Sequence, residues 1–420
     1  MNILFGTLAY HEQAQQAALA LQEEGLLGRW EAGGVNALQK DLTSTLLSIG
    51  QRLFPEAEDI LRRRAVKAEL VGRVQSHWGW EAARLIAARG LKKPLFADWL
   101  WERSERRLSR LMARLIQGDN YDIVYGYEHG CLEALYAARS VGKKSIVGFV
   151  SPHHLTRESI LEPEYRKFPE LHTAESKILQ ELGRTRDARR DREAVMADFI
   201  ECNSSFTARS LVEAGFEPQK IFVAPLGCPD AIPRERLPSR SNGCLRVLYA
   251  GTLSVHKGTH LLARAWKRLG VYRSAELHLY GSVRLPQRIL QGIGENVFFH
   301  GSVSQAELFA AYEEASILCF PTLCDGFGLV IGEALAHGLP VLTTRNAGGA
   351  DLIESNRNGV LIEAGNLDHL VEALDWSLRN PKLLHDMRAS ALETAQSNDW
   401  SAYRRKLRTT LREKLNLNYQ

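Results

Sequence analysis

The stretch SILCFPTLCDGFGLVIGEALAHGLPVLTT (316–344) decides the fold. SILCFP (316–321) is a short apolar run of the kind that makes a buried strand. A loop with Asp325, Gly326, Phe327 and Gly328 follows, and the spacing predicts a helix from about Leu329 to His337. Gly338 and Pro340 stop that helix, one by accepting a left-handed cap and the other by refusing to continue it. PVLTT (340–344) is the next strand. Strand, glycine loop, helix and strand with short connections make the unit of a parallel sheet, whose ligands gather at the carboxyl ends of the strands. Glycines ahead of a helix let the backbone close on a ligand, and the first-turn amides, unpaired within the helix, point at an anion or sugar oxygen. Glu333 lies on the same helix, eight positions after Asp325. A carboxylate there can accept two hydrogen bonds from a vicinal diol such as a ribose.

Working outward, LRVLYAG (245–251), AELHLYG (275–281), NVFFHG (296–301) and GVLIEA (359–364) supply further strands, most separated by helical pattern. In YAGTLSVHKGTHLLARAW (249–266) a strand enters a glycine turn, Lys257-Gly258 follows, and an amphipathic helix begins. A lysine at the mouth of such a turn suits a diphosphate, because its ammonium is a compact point charge. The N-terminal half carries a second set of compact runs: NILFG (2–6), DIVYGY (122–127), KSIVGFV (144–150), DFIECN (198–203) and KIFVAP (220–225). A helix over about 11–24 ends at Gly25, whereas residues 37–118 are helical in pattern without a legible topology. PLGCPDAIPRERLPSRSNG (225–243) is dense in proline, glycine and serine and separates the two sets as a linker. The expected organisation is α/β throughout: a Rossmann-like domain over 1–232, a second over 244–395, and a helix over 396–420 that packs back on the first.

The 420 residues exceed what one core usually organises, in keeping with two domains. With 45% hydrophobic and 24% charged residues the chain is ordinary globular protein, which excludes disordered, collagenous and coiled-coil classes. A net charge of +4 is too weak to indicate nucleic acid. Six scattered cysteines without a CxxC pair fit a reduced, cytoplasmic chain. The start MNILFGTLAY lacks the features of a signal peptide, and no apolar run is long enough for a membrane span, so any membrane contact is peripheral.

The two C-terminal pieces, in this order and at this separation, resemble the family-4 retaining glycosyltransferases of the GT-B fold, also called glycosyltransferase group 1. The resemblance is strong over about 245–390 and only an outline before that; 300–322 and 346–374 are similar to the family's flanking segments. It implies two doubly wound domains facing across a cleft. It also implies transfer of a sugar from a nucleoside diphosphate sugar to an acceptor hydroxyl with retention. No Asp-x-Asp stands in a plausible loop, so metal-independent turnover with no other cofactor is expected. Carried over by position, Lys257 neutralises the departing diphosphate, Asp325 and the backbone of Phe327 to Leu329 (with Gly326 and Gly328) hold the sugar, and Glu333 holds the ribose. Gly251, Thr252, Gly281 and Ser282 lie near the diphosphate, the loop at Gly301, Ser302 and Val303 meets the base, and Gly348-Gly349 forms cleft wall. Two departures stand out. Thr252 occupies the place of a common arginine, leaving His256 and Arg345 as the nearest basic candidates by sequence. Asp325 replaces the usual glutamate and is one methylene shorter.

The family also implies a histidine after an N-domain strand, near the transferred sugar. KSIVGFVSPHHLTRE (144–158) offers His153 and His154 equally, with His11 and His129 as lesser candidates and two loop histidines capping carbonyls as the plain alternative. LRRRAVKAELVGR (61–73) carries five basic residues against Glu69. In WERSERRLSRLMARL (101–115) Trp101, Leu108, Leu111, Met112 and Leu115 fall on one side with arginines opposite, and Trp78, Trp80 and Trp99 are close in sequence. Such a helix either serves an anionic membrane interface or an acidic or lipid-linked acceptor, or lays snorkelling arginines over ordinary core; the last is the simpler reading. RTRDARRDR (184–192) reads as a solvated helix. The expected function is glycosyl transfer in cell-surface or exopolysaccharide glycan synthesis, with a nucleotide sugar and a glycan or lipid-linked acceptor as partners and no nucleic acid. The alternatives are an inert nucleotide-sugar-binding subunit and a GT-B sugar-nucleotide epimerase.

Overall fold

The computed structural model describes residues 1–8, 11–36, 61, 64–91, 93–172, 174–237, 244–270 and 275–416. Part of the 37–118 region, Arg62 and Arg63 of the basic cluster, and residues 238–243 of the expected linker lie outside them.

The first sheet has seven parallel strands in the order β3-β2-β1-β4-β5-β6-β7. They are β1 (Ile3–Thr7), β2 (Leu27–Ala32), β3 (Val74–Ser76), β4 (Ile123–Tyr127), β5 (Lys144–Phe149), β6 (Phe199–Cys202) and β7 (Ile221–Val223). Helices α1 (Glu12–Glu23), α2 (Trp78–Leu85), α3 (Pro94–Ile116), α4 (Leu132–Ser140), α5 (His154–Lys167), α6 (Ala174–Met196) and α7 (Ser205–Glu213) accompany it. The central strands are apolar runs because both faces are covered: β1 and β4 are buried along their whole length. Two strands carry no such signal. β2 reads LGRWEA, and its Glu31 is fully buried, facing His77 Nε2 at 2.6 Å. A charged residue inside a strand breaks the apolar run while an ion pair makes it tolerable in the fold. β3 is three residues long, below what a pattern can reveal.

The second sheet has six parallel strands in the order β10-β9-β8-β11-β12-β13. These are β8 (Leu245–Ala250), β9 (Ala275–Tyr280), β10 (Val297–Gly301), β11 (Ile317–Phe320), β12 (Val341–Thr344) and β13 (Gly359–Ile362). Helices α8 (Thr259–Leu269), α9 (Gln287–Leu290), α10 (Gln305–Glu314), α11 (Leu329–Ala336), α12 (Leu367–Arg379) and α13 (Pro381–Ser397) belong to it. The strand order reverses between β8 and β11, so the turns after these two strands flank the crevice where ligands settle in such sheets.

The chain crosses from one sheet to the other after Val223 and returns before α14 (Trp400–Lys414). α14 lies against α1, where Arg404 meets Glu23 at 2.8 Å and Arg408 and Arg412 pair with Glu23 and Glu24. Beneath it, the Tyr403 hydroxyl donates to Glu201 of β6 at 3.1 Å, and Glu201 also takes the Tyr125 hydroxyl of β4. The two crossings touch, since Cys228 N–H donates to Asn398 O at 2.8 Å.

Candidate active site at the facing strand ends

The turns after β8, β9 and β10 are tied side by side. Gly251 N–H donates to Tyr280 O at 2.9 Å, Leu253 N–H to Ser282 O at 2.9 Å and Gly281 N–H to Gly301 O at 2.7 Å. Thr252 O accepts the Tyr249 hydroxyl at 2.9 Å, so the turn after β8 is braced from within the sheet. Ser302 and Val303 follow β10 at the outer edge, Ser302 exposed and Val303 half-buried. The loop after β11 is fixed from β12: Asp325 N–H donates to Asn346 O at 3.0 Å, Gly348 N–H to Asp325 O at 3.0 Å and Gly349 N–H to Phe327 O at 2.6 Å.

Lys257 and Asp325 converge across the strand-order switch, their ammonium and carboxylate in direct contact. Gly258 is what brings the lysine there. It starts α8 in the left-handed region (φ 69°), and a Cβ at this position would lie 1.9 Å from Pro321 O, so only glycine lets the β8 turn press on the end of β11. α11 begins at Leu329 beside the pair; the Ile331 amide donates to Gly328 O at 2.9 Å, which leaves the Leu329 and Val330 amides ahead of any intrahelical acceptor. Glu333, one turn further on, accepts the Tyr312 hydroxyl at 3.0 Å, and burial raises its pKa. Its helix face opens onto a cavity of about 430 Å³ between the sheets, lined by Leu329, Glu333 and Gln305 on one side and Glu12, Gln16 and Lys67 on the other.

The two basic candidates named for the missing arginine are placed differently. His256 is pushed down to about 4, first by burial and then by Lys257, so it is neutral at pH 7. Arg345 lines a separate cavity with Leu361, Glu363 and Trp376. Two guanidiniums act electrostatically on His256: Arg284, from the turn after β9, and Arg157, from α5 of the first domain. Arg284 has no side-chain partner among the described residues, while Arg157 also holds Asp187 at 2.7 Å. Sequence spacing hid both, since they are contributed by a different strand end and a different domain.

The first domain meets this loop through backbone. A Cβ on Gly326 would lie 1.8 Å from Val150 O and 3.1 Å from Ser151 Cα, and Gly326 O accepts the Ser204 hydroxyl at 2.6 Å. Val150 and Ser151 are held in turn by Glu128, whose carboxylate takes both their amides (3.0 and 2.9 Å) and the Ser151 hydroxyl (2.5 Å) and pairs with Arg190. A cavity of about 190 Å³ opens there, lined by Thr7, His11, Glu105, Glu128, His129, Ser151 and Arg190.

His153 and His154 stand just beyond. His153 caps α5 by accepting the Leu155 amide on Nδ1, and its Nε2 faces Asp191 at 2.9 Å; His154 Nε2 faces the other oxygen at 3.0 Å. With Nδ1 accepting, the His153 ring proton sits on Nε2 and points at Asp191. The trio therefore makes hydrogen bonds that anchor α5 to α6, and His153 is not disposed as a metal ligand. Burial also lowers the His153 pKa. Of the turn after β5, Val150 and Ser151 abut the Asp325–Gly328 loop, ahead of the two histidines.

The model of the glycosyl transferases group 1 family matches residues 244–380. An uncharacterized glycosyltransferase of Haemophilus influenzae is 29% identical over 163 residues, 37% of this chain and 45% of that protein. A D-inositol 3-phosphate glycosyltransferase of Pseudarthrobacter chlorophenolicus is 27% identical over 222 residues, 49% of this chain and 53% of its own. The matched stretches thus span about half the length of these relatives or less. Among solved structures, Anabaena HepE in complex with UDP-glucose superimposes with a TM-score of 0.59 at 17% identity, covering 98% of this chain and 100% of that one. The lipopolysaccharide outer core galactosyltransferase WaaB superimposes at 0.60 and 15% identity, covering 99% and 100%. Residues 244–380 are accordingly a group 1 glycosyltransferase domain, set in a chain whose two facing parallel sheets form the GT-B fold.

Proposed function

We propose that the protein is a retaining, metal-independent glycosyltransferase that moves a hexosyl unit from a nucleoside diphosphate sugar to a hydroxyl of a glycan or lipid-linked glycan. Its setting is cell-surface or exopolysaccharide assembly, on the cytoplasmic side. One observation carries the reading: Lys257 and Asp325, from turns that are 68 positions apart, meet at the strand-order switch beside the start of α11. In the reaction the bond from the anomeric carbon to the diphosphate oxygen breaks, the acceptor oxygen takes its place on the same face, and the acceptor proton leaves with the diphosphate. Charge builds on the departing oxygen, so fixed positive groups there stabilise the transition state more than the bound donor. Lys257, Arg284 and the α11 amides supply them, and Arg157 adds a fourth when the domains are together. Asp325 orients the sugar, Glu333 receives the ribose diol in the 430 Å³ cavity, and the Ser302–Gln305 edge takes the base. The donor complex of HepE makes UDP-sugars the first to try. Among the described residues no helix is long and apolar enough to cross a membrane.

The test is nucleotide release from UDP-, GDP- and ADP-sugars by the purified protein. Lys257→Ala and Glu333→Ala should each lower the rate at least tenfold, about 1.4 kcal/mol of barrier. Near-normal rates in both would remove the site, and nucleotide-sugar binding without turnover in the unaltered protein would identify an inert subunit.

A further inference from the structure

A large cavity of the first domain lies away from the donor turns, at the tip formed by α2 and α3. It encloses about 1480 Å³, more than a single sugar needs. Its α3 wall carries Arg103, Arg106, Arg107, Arg110 and Arg114, at the three- and four-residue spacings that align along one helix face. α3 is buried through Leu100, Leu108, Met112 and Ile116, and Leu108 and Leu111 also line the cavity beside the arginines. Arg106 is held by Glu102 at 3.0 Å and Arg103 lies over the Trp99 ring. Arg107, Arg110 and Arg114 are exposed and have no partner among the described residues. They run over about 10 Å of helix. The only lining carboxylate among the described residues is Glu102, committed to Arg106 and to His129, and held down to about 2 chiefly by the His129 hydrogen bond.

Trp78 and Trp80 of α2 line the cavity across from α3, and Trp99 lines it from α3 itself, beside Arg103. Trp78 is fixed by its indole N–H, which donates to Val35 O at 2.9 Å. Indole faces take the apolar face of a sugar ring and leave its hydroxyls to water. Unpaired guanidinium forks match phosphate oxygens two at a time. The cavity neighbours the candidate site, since Leu8 lines both it and the 190 Å³ cavity at Ser151, which abuts Gly326.

We propose that this groove is the distal acceptor subsite and that the acceptor is a phosphate-bearing saccharide, its sugar rings on the tryptophans and its phosphate on Arg107, Arg110 and Arg114. The assignment rests on the transferase reading only for the word acceptor; the phosphosaccharide site stands or falls by binding. The probe is mannopentaose phosphate, compared with the same sugar after phosphatase treatment, titrated against the full chain at low salt by tryptophan fluorescence and calorimetry. The phosphorylated sugar should bind at least tenfold more tightly than the dephosphorylated one. The combined variant Arg107→Gln, Arg110→Gln, Arg114→Gln should erase that difference with a melting temperature close to that of the unaltered chain. Arg110→Glu alone, a single exposed change, should weaken binding at least threefold. Equal affinity for the two sugars, or retention of the preference in the triple variant, would overturn the proposal. So would capture of the protein by phosphatidylglycerol vesicles with no saccharide binding, which would make the groove a lipid-binding face. Failure of every nucleotide sugar to react, with the phosphate preference intact, would instead defeat the transferase reading and leave the groove.

Discussion

Replacing Gly326 with alanine tests whether the two domains must touch for catalysis. The new Cβ would lie 1.8 Å from Val150 O, 2.8 Å from Val150 C and 3.1 Å from Ser151 Cα. All three are backbone atoms with no side-chain freedom to yield. Restoring ordinary contact requires the Asp325–Gly328 loop and the end of β5 to part by more than about 1 Å. The Ser204 hydroxyl to Gly326 O bond, 2.6 Å here, would then exceed hydrogen-bond range, at a cost of about 1 kcal/mol in the closed arrangement. The larger effect is on alignment. An acceptor on the Ser151 side and a donor on the Asp325 side would be misplaced by about 1 Å, and such displacement costs about a hundredfold in rate. Gly326→Ala should therefore lower kcat for transfer by about two orders of magnitude, leave donor KM within a few-fold, and shift the melting temperature by only about 2 °C. Gly348→Ala should act similarly, since its Cβ would meet Gly326 O at 2.0 Å and Ser204 Oγ at 2.5 Å. Gly72→Ala, which has nothing within 4 Å, is the control. A kcat within threefold of the unaltered enzyme for Gly326→Ala would refute the requirement for contact.

Other expectations are quicker to check. Arg284→Ala should slow nucleotide release at least tenfold while Arg345→Ala does not, because Arg284 acts on His256 beside Lys257 whereas Arg345 lines a separate cavity; equal rates in both variants would remove Arg284 from the diphosphate site. Turnover should persist in excess EDTA, and loss restored by manganese would contradict metal independence. Glu201 is fully buried and its pKa is pushed up to about 7 by burial. The native state thus keeps a proton that the unfolded chain releases near 4.5, and stability falls as pH rises from there to about 7, by at most about 3 kcal/mol. Glu201→Gln should flatten the drop in melting temperature between pH 5 and 7.5, with Glu193 and Glu105, also raised by burial, accounting for what remains. An unchanged slope would show that Glu201 ionises freely in the fold.

The second domain was legible because its strands are apolar runs punctuated by glycine, and because the turns that hold Lys257 and Asp325 are local. LRVLYAG and SILCFP each emerged within a residue of β8 and β11. The first domain was less legible where polarity entered the sheet: Glu31 interrupts β2, yet it is buried against His77 and Arg29. The donor-side cations show another limit. Arg157 and Lys257 belong to different domains, and only the folded chain brings both to His256. His153 and His154 attracted attention through their residue type and place after β5, but type alone could not reveal Asp191, 37 positions on from His154, as their partner. The arginines of α3 posed the reverse problem. A sequence shows a cationic helix face, whereas whether those charges lie flat on core or stand in a cavity opposite indoles depends on where α2 falls.

Because the polypeptide passes between the halves twice, at Ala224–Pro233 and at Ser397–Asp399, and the two passages are joined by the Cys228–Asn398 bond, they behave as paired pins of one door. A single pin would let the leaves twist and slide, but two adjacent pins leave a swing about the line through them. Shortening the polypeptide before Trp400 would remove one pin and also strip the Tyr403 support from Glu201, turning a guided swing into loose tumbling.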